Sequence, residues 1–305
     1  MASPRLDGPV PSREGAGPPP RLIASDLDGT LLDADGRVSV RTRQVWASLG
    51  EKGIETVIVT ARPPRWLDHL TELVGPAAAS SSPGVSDDVG AHTLAICGNG
   101  AFVYDLATRR VIEADGFTAD EALAVVEHLR RRFPRAGTAV ETDRGMFRTA
   151  AYPDAHAGMA THDAGVRDCE LAALPSDVVV GKILLRDEAW RGETFVEALT
   201  ECLGERGVLA YSGAAGLAEI SAPGVTKAAR LETWCAERGV QADDVWAFGD
   251  MPNDIPMLTW AGRGVAVENA HEDVIAVADD ICGPHDADGV ARYLESRIGD
   301  VERRG

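Results

Sequence analysis

The apolar run Arg21-Leu22-Ile23-Ala24-Ser25 ends in Asp26-Leu27-Asp28-Gly29-Thr30, two carboxylates one residue apart where the run meets a turn. A short apolar stretch closed by Gly reads as a buried strand. Side chains at i and i+2 of a strand share a face. With the strand geometry breaking at Leu27, Asp26 and Asp28 can therefore converge on one cation or one phosphoryl group. Two like charges so close repel unless something positive lies between them. By themselves the same residues also suit an Asx turn at the surface.

The strand is the first of a series. Strand 21–26 precedes a helical pattern near Ser39–Lys52, a strand at 54–60 and a helix near Pro64–Val74. Strands separated by helices require crossovers and a parallel sheet. Residues 76–91 show no periodicity and read as a surface loop, and a third buried strand ends at Ile96-Cys97 before Gly98-Asn99-Gly100-Ala101.

Beyond Ala101 the character changes. A hairpin pattern (Phe102–Tyr104 with Arg110–Glu113) leads to a helix at Ala119–Phe133 and strands near Thr138–Glu141 and Met146–Ala150. Residues 152–170 are irregular; a strand at Val178–Leu185, a helix at Glu193–Leu203 and strands at Val208–Tyr211 and Leu217–Ile220 follow. Strands joined by short turns predict an α+β unit with an antiparallel sheet. Alternation then resumes: helix 226–238, strand 245–248, helix 253–261, strand 264–267, helix 271–277 and helix 287–297. The expected organisation is a disordered leader at 1–20, a core from 21–100 and 222–305, and an inserted domain at 101–221.

With 305 residues the chain suits two domains. A formal charge of −18 argues against nucleic acid, which needs a basic footprint. The five cysteines are scattered without a C-x-x-C pair, which predicts reduced thiols in the cytosol, and the seven histidines show no metal spacing. No run approaches the roughly 18 apolar residues of a membrane span. Residues 1–20 lack the apolar centre of a secretory signal. Nothing in the sequence sets the oligomeric state.

Three further motifs follow the first in order. Thr60-Ala61-Arg62 closes the apolar run Glu55–Thr60; Lys227 follows Pro223-Gly224-Val225-Thr226; Gly249-Asp250-Met251-Pro252-Asn253-Asp254 follows Val245–Phe248. Together they resemble the signature of haloacid-dehalogenase-like (HAD) phosphohydrolases, and the inserted α+β unit with Asn99-Gly100-Ala101 resembles the Cof-type branch. The resemblance implies an α/β fold, a Rossmann-like doubly wound parallel sheet core with an inserted α+β (C2B-type) cap domain. It also implies a phosphatase acting on a small soluble phosphomonoester, a sugar phosphate or a phosphorylated cofactor.

The roles follow from the same resemblance. Asp26 is expected to attack phosphorus and form an aspartyl-phosphate. Asp28 is expected to protonate the leaving alkoxide and then deprotonate water, a role suited to a carboxyl raised by burial and neighbouring charge. Thr60 would donate to a phosphate oxygen, helped by the Ala61 N–H, although Ala61 stands where the family often has Gly. Lys227 would neutralise the charge shared by Asp26 and the phosphate; it is one of only three lysines in an arginine-rich chain. Mg²⁺ is the implied cofactor, held by Asp26, the Asp28 carbonyl and Asp250, with Asp254 acting directly or through water. Leu27, Ala61, Asn253 and Lys182 are expected to meet phosphate or substrate.

Some residues keep two readings. Lys182, inside the apolar strand Val178–Leu185, faces either the cleft or, as an edge-strand lysine, solvent. Arg62 supports the phosphate or lies at the surface, and Arg144 and Arg148 are further cap candidates. Gly249-Asp250 with Asn253 also suits a turn and helix cap. Two other functions share these features: a phosphohexomutase of the same fold, and a non-catalytic phosphoacceptor or metal-binding module.

Overall fold

Strand β1 (Leu22–Ser25) is buried along its whole length, and its side chains feed two cores: Leu22 and Ala24 on one face, Ile23 on the other. That is the mark of a strand covered on both sides. The structure, a computed structural model, describes residues 18–73, 94–152, 165–187, 190, 193–210 and 217–302. The 76–91 segment and residues 1–17 of the expected leader lie outside the described residues. Helix α1 (Val40–Glu51) starts at Ser39, whose hydroxyl accepts the Thr42 N–H. Strands β2 (Glu55–Val59) and β3 (Leu94–Cys97) extend the sheet in parallel.

Between β2 and β3 the expected helix over Pro64–Val74 is instead two 3₁₀ turns, Pro64–Trp66 and Asp68–Leu73. Pro63 and Pro64 withhold N–H donors. Leu67, Leu70 and Leu73 recur every third residue, so three-residue turns bury all three.

Strands β4 (Phe102–Asp105) and β5 (Arg110–Ala114) fold back antiparallel onto β3. The sequence places this hairpin in the insert, but its ladder belongs to the core sheet, where it covers the edge that β3 would otherwise expose.

The six-stranded sheet begins further on. Helix α2 (Ala119–Arg130) opens on a capping box between Thr118 and Glu121. Then come β6 (Gly137–Thr142), β7 (Gly145–Arg148), β8 (Val166–Asp168), β9 (Val180–Arg186), α3 (Glu193–Leu203), β10 (Val208–Ala210) and β11 (Leu217–Ser221). Their order is β10-β11-β9-β6-β7-β8, antiparallel except at β7–β8. Strand β8 falls in the stretch that showed no pattern; three residues are too few to establish one. Ile183 and Leu185 of β9 join the same core as Phe133, Phe195 and Leu199 of the helical layer. Period-two alternation sends Lys182 and Leu184 to the opposite face.

The core resumes with α4 (Lys227–Glu237), β12 (Val245–Gly249), α5 (Ile255–Trp260), β13 (Arg263–Val267), α6 (Glu272–Val277), β14 (Asp280–Cys282) and α7 (Gly289–Glu302). The eight-stranded order is β14-β13-β12-β1-β2-β3-β4-β5, parallel from β14 to β3. Leu231, Trp234, Met257 and Val274 pack on one face, and Trp46, Tyr293 and Leu294 on the other. This is an α/β, Rossmann-like core carrying an α+β cap. Parallel strands end on one edge, so residues following β1, β2 and β12 converge there. Among the described residues no helix is long and apolar enough to cross a membrane.

Candidate active site

Asp26 is the first residue past β1, and its N–H donates to the Phe248 carbonyl of β12 (3.0 Å). Residues 27–31 then form one wide turn with Gly29 at φ 75°. A Cβ at Gly29 would collide with Asp250 Oδ2, so the turn needs both the left-handed angle and the missing side chain. Thr30 Oγ1 lies 3.4 Å from Asp250 Oδ1, and Asn269 Nδ2 donates to the Gly29 carbonyl (2.8 Å). The Leu27 side chain is wholly buried in the core, so only its main chain can meet a ligand.

Lys227 enters as the first residue of α4, just after Thr226, whose hydroxyl accepts the Ala229 N–H. The dipole disfavours a cation at a helix N-terminus, and the lysine is held there by acids. Its Nζ donates to Asp26 Oδ1 (2.6 Å) and Asp254 Oδ1 (2.7 Å). Asp254 Oδ2 accepts the N–H groups of Asp250 and Met251, both at 3.1 Å. Asp254 thus braces the turn that presents Asp250. Asn253, half-buried in the same turn, forms no side-chain hydrogen bond among the described residues.

Oxygens of Asp26, Asp250 and Asp254 lie within 4.8 Å of one another, all buried. Burial pushes the Asp26 carboxyl up to about 8 against the pull of Lys227, with Asp254 and Asp250 adding to the rise. Burial and then Asp254 lift Asp250 to about 6. For Lys227 burial works against the charge, but Asp254 and Asp26 outweigh it and hold the ammonium above its ordinary range. Three carboxylates around one ammonium leave negative charge unmatched. Hard oxygen donors in that state fit a divalent cation, which would return Asp26 and Asp250 to their ionised forms.

The loop after β2 is fixed carbonyl by carbonyl. Thr60 O accepts the Asn99 N–H (3.1 Å), Ala61 O accepts Lys182 Nζ (2.7 Å) and Arg62 O accepts the Gly98 N–H (2.8 Å). The Arg62 N–H donates to Thr60 Oγ1 (3.1 Å). The hydroxyl proton of Thr60, a fully buried residue, has no acceptor among the described residues.

Asp28 departs from expectation. Its side chain is 56% exposed rather than buried, and Arg62 grips it with Nε on Oδ2 (2.8 Å) and Nη2 on Oδ1 (2.5 Å). The carboxylate therefore turns toward Arg62 and stands outside the cluster formed by Asp26. An arginine two residues beyond Thr60 is a better partner than a lysine already shared by two acids. Arg62 is thus neither free at the surface nor aimed at the cluster.

Lys182 faces the core, not solvent. Strand β9 lies between β11 and β6, which removes the edge-strand reading. Its Nζ bonds Glu219 Oε2 (2.6 Å) as well as Ala61 O, and Asn99 Nδ2 reaches the same Glu219 oxygen at 3.5 Å. Arg65 of the core bonds Glu141 of the cap (2.7 Å). Arg144 and Arg148 pair with Asp177 and Asp168 instead, away from these groups. Glu219, Glu141, Arg65 and Asn269 escaped the sequence reading, and Asn99 entered it only as part of the resemblance, with no site role. The available signals were Glu219 and Glu141, charges inside apolar strands like Lys182. Asn99 lies between two glycines and adopts φ 60°.

The sequence profile of haloacid dehalogenase-like hydrolases matches residues 23–294. Pyridoxal phosphate phosphatase YbhA of Escherichia coli is 28% identical over 289 residues, 91% of this chain and 98% of that protein. The 5-amino-6-(5-phospho-D-ribitylamino)uracil phosphatase YcsE of Bacillus subtilis is 26% identical over 281 residues, 90% and 94% of the two chains. A haloacid dehalogenase-like hydrolase from Bacteroides thetaiotaomicron superposes with a TM-score of 0.71 at 24% identity, covering 90% of this chain and 98% of its own. A sugar phosphatase of HAD subclass IIB does so at 0.70 and 20% identity, covering 92% and 99%. These two superpositions speak to the fold.

Proposed function

Because the chain belongs to the haloacid dehalogenase-like hydrolases, we propose that it is a Mg²⁺-dependent phosphatase that hydrolyses a small soluble phosphomonoester through an aspartyl-phosphate on Asp26. The observation that carries this reading is the meeting of Asp26, Asp250 and Asp254 around Lys227 at the strand ends.

Lys227 occupies Asp26 Oδ1 and leaves Oδ2 without a donor among the described residues, the oxygen suited to attack. Attack forms the Asp26–phosphorus bond as the ester P–O bond breaks. Asp28 leaves Arg62, takes a proton from solvent, and gives that proton to the departing alkoxide. Water then attacks the aspartyl-phosphate, Asp28 takes its proton, and Asp26 is released with inorganic phosphate. The Thr60 hydroxyl and the main-chain N–H groups of Ala61 and Leu27 donate to phosphoryl oxygens, whose charge develops in the transition state. Asn253, on the turn beside Asp250, contacts the phosphate or orients Asp26. Asp26, Asp250 and the Asp28 carbonyl would hold Mg²⁺, with Asp254 behind them, and the bound cation would neutralise charge between carboxylate and phosphate.

The cap supplies the groups that face the ester's leaving portion, including Glu141. The names of the relatives support a small phosphorylated metabolite, a sugar phosphate or a phosphorylated cofactor, as the substrate class. Free thiols at all five cysteines support a cytosolic enzyme. Release of phosphate from p-nitrophenyl phosphate tests the proposal. Turnover is expected with Mg²⁺, lost on chelation and abolished by Asp26→Asn. Undiminished turnover in Asp26→Asn would refute the nucleophile.

A further inference from the structure

We infer that Lys182, a cap residue, is a positioning residue for the Thr60 hydroxyl, acting through the Ala61–Arg62 peptide. This rests on the phosphatase reading of the site and deepens it.

The geometry is a relay through one peptide group. Lys182 Nζ donates to the Ala61 carbonyl at 2.7 Å, and the other end of that peptide, the Arg62 N–H, donates to Thr60 Oγ1 at 3.1 Å. A charged donor on a carbonyl draws electron density along the amide and strengthens the N–H at its far end as a donor. Once Oγ1 accepts that N–H, the hydroxyl proton must point elsewhere, and the phosphoryl group is the acceptor available. The cap ammonium thereby fixes the direction of a hydrogen bond made by the core.

The surroundings fit this role better than substrate contact. Lys182 is 3% exposed and its ammonium is held on a second side by Glu219 Oε2 at 2.6 Å. Asn99 binds that same carboxylate oxygen and also caps the Thr60 carbonyl, so one buried network holds consecutive carbonyls of the loop. An ammonium engaged by a carboxylate and a main-chain carbonyl has at most one proton left for a ligand. The Lys182–Ala61 bond crosses from cap to core, so the Thr60 rotor is fixed only while the cap is seated.

The test compares Lys182→Met with wild type on three esters of unlike leaving groups and on vanadate inhibition, each repeated in a Thr60→Val background. The companion Lys182→Met/Glu219→Gln removes the buried carboxylate charge that the single change would deprive of its ammonium, should that variant fail to fold. An action through Thr60 predicts a loss in kcat/KM of about tenfold, equal for all three esters. It also predicts weaker vanadate inhibition by a similar factor and less than about a twofold further loss when Thr60 is already Val. Losses that differ between esters, or a full loss persisting in the Thr60→Val background, would overturn the inference while leaving the phosphatase intact. A wild-type protein that turns over none of the esters with Mg²⁺ would overturn both.

Discussion

Lys227 Nζ and Asp26 Oδ1 are 2.6 Å apart although they stand 201 positions apart in the chain. The whole cap lies within that interval. The pair is buried, so the bond is stronger than its surface counterpart and costly to leave half-made. It also reports on assembly: the two halves of the core must be docked before the proposed nucleophile has its cation.

Replacing Asp254 by Ala strips Lys227 of one of its two acids and orphans the N–H groups of Asp250 and Met251. Breaking a buried pair from one side costs about 3–5 kcal/mol. Urea unfolding in chelator should show a lower midpoint, by that loss divided by the slope, with the slope itself unchanged. A wild-type midpoint would mean that the turn stands without this brace.

The raised carboxyl of Asp26 sets a pH dependence for the metal-free protein. Its folded value of about 8 exceeds the ordinary 3.8, so the native state keeps a proton that the unfolded chain releases. The stability this contributes is complete below the unfolded value and is lost as pH rises toward the folded one. In chelator, the unfolding free energy of wild type should therefore fall relative to Asp26→Asn between pH 5 and pH 8. Saturating Mg²⁺ should cancel the trend. A difference that stays constant across this range would contradict the burial of Asp26.

Gly29→Ala probes the turn that follows the two motif aspartates. The residue has φ 75°, and the added methyl meets Asp250 Oδ2. Strain and collision both fall on the carboxylate expected to hold the cation. Activity should require more Mg²⁺, with the half-saturating concentration raised about tenfold or more, equivalent to about 1.4 kcal/mol. A half-saturation matching wild type would show that Asp250 does not depend on the close approach.

The candidate residues that could be read from sequence share one property: each proposed site side chain stands where an apolar run ends or a helix boundary falls. Asp26 after Ser25, Thr60 after Val59 and Asp250 after Gly249 mark strand ends, and Lys227 marks a helix start. Burial pattern and turn chemistry are local, so these positions were legible. What was not legible depends on partners distant in sequence. The 102–114 hairpin has the same antiparallel pattern whichever sheet receives it, and only the open edge of β3 decides. Asp28 turns outward because Arg62 lies within reach across the turn. Glu219 and Glu141 gain meaning only once the cap faces the core. The leucines at 67, 70 and 73 did carry a readable three-residue period, masked by the usual expectation of an α-helix after Pro64.

Strand β1 takes its neighbours from opposite ends of the chain, β2 on one side and β12 on the other. During synthesis the N-terminal half of the core therefore leaves the ribosome with one flank of its middle strand bare, and it stays bare until everything through β12 has been made. The cap contains its own ladder partners and can close meanwhile. Pairing across so long a loop is slow, so competence to bind the cation should arise last, as the two flanks of the sheet are zipped together.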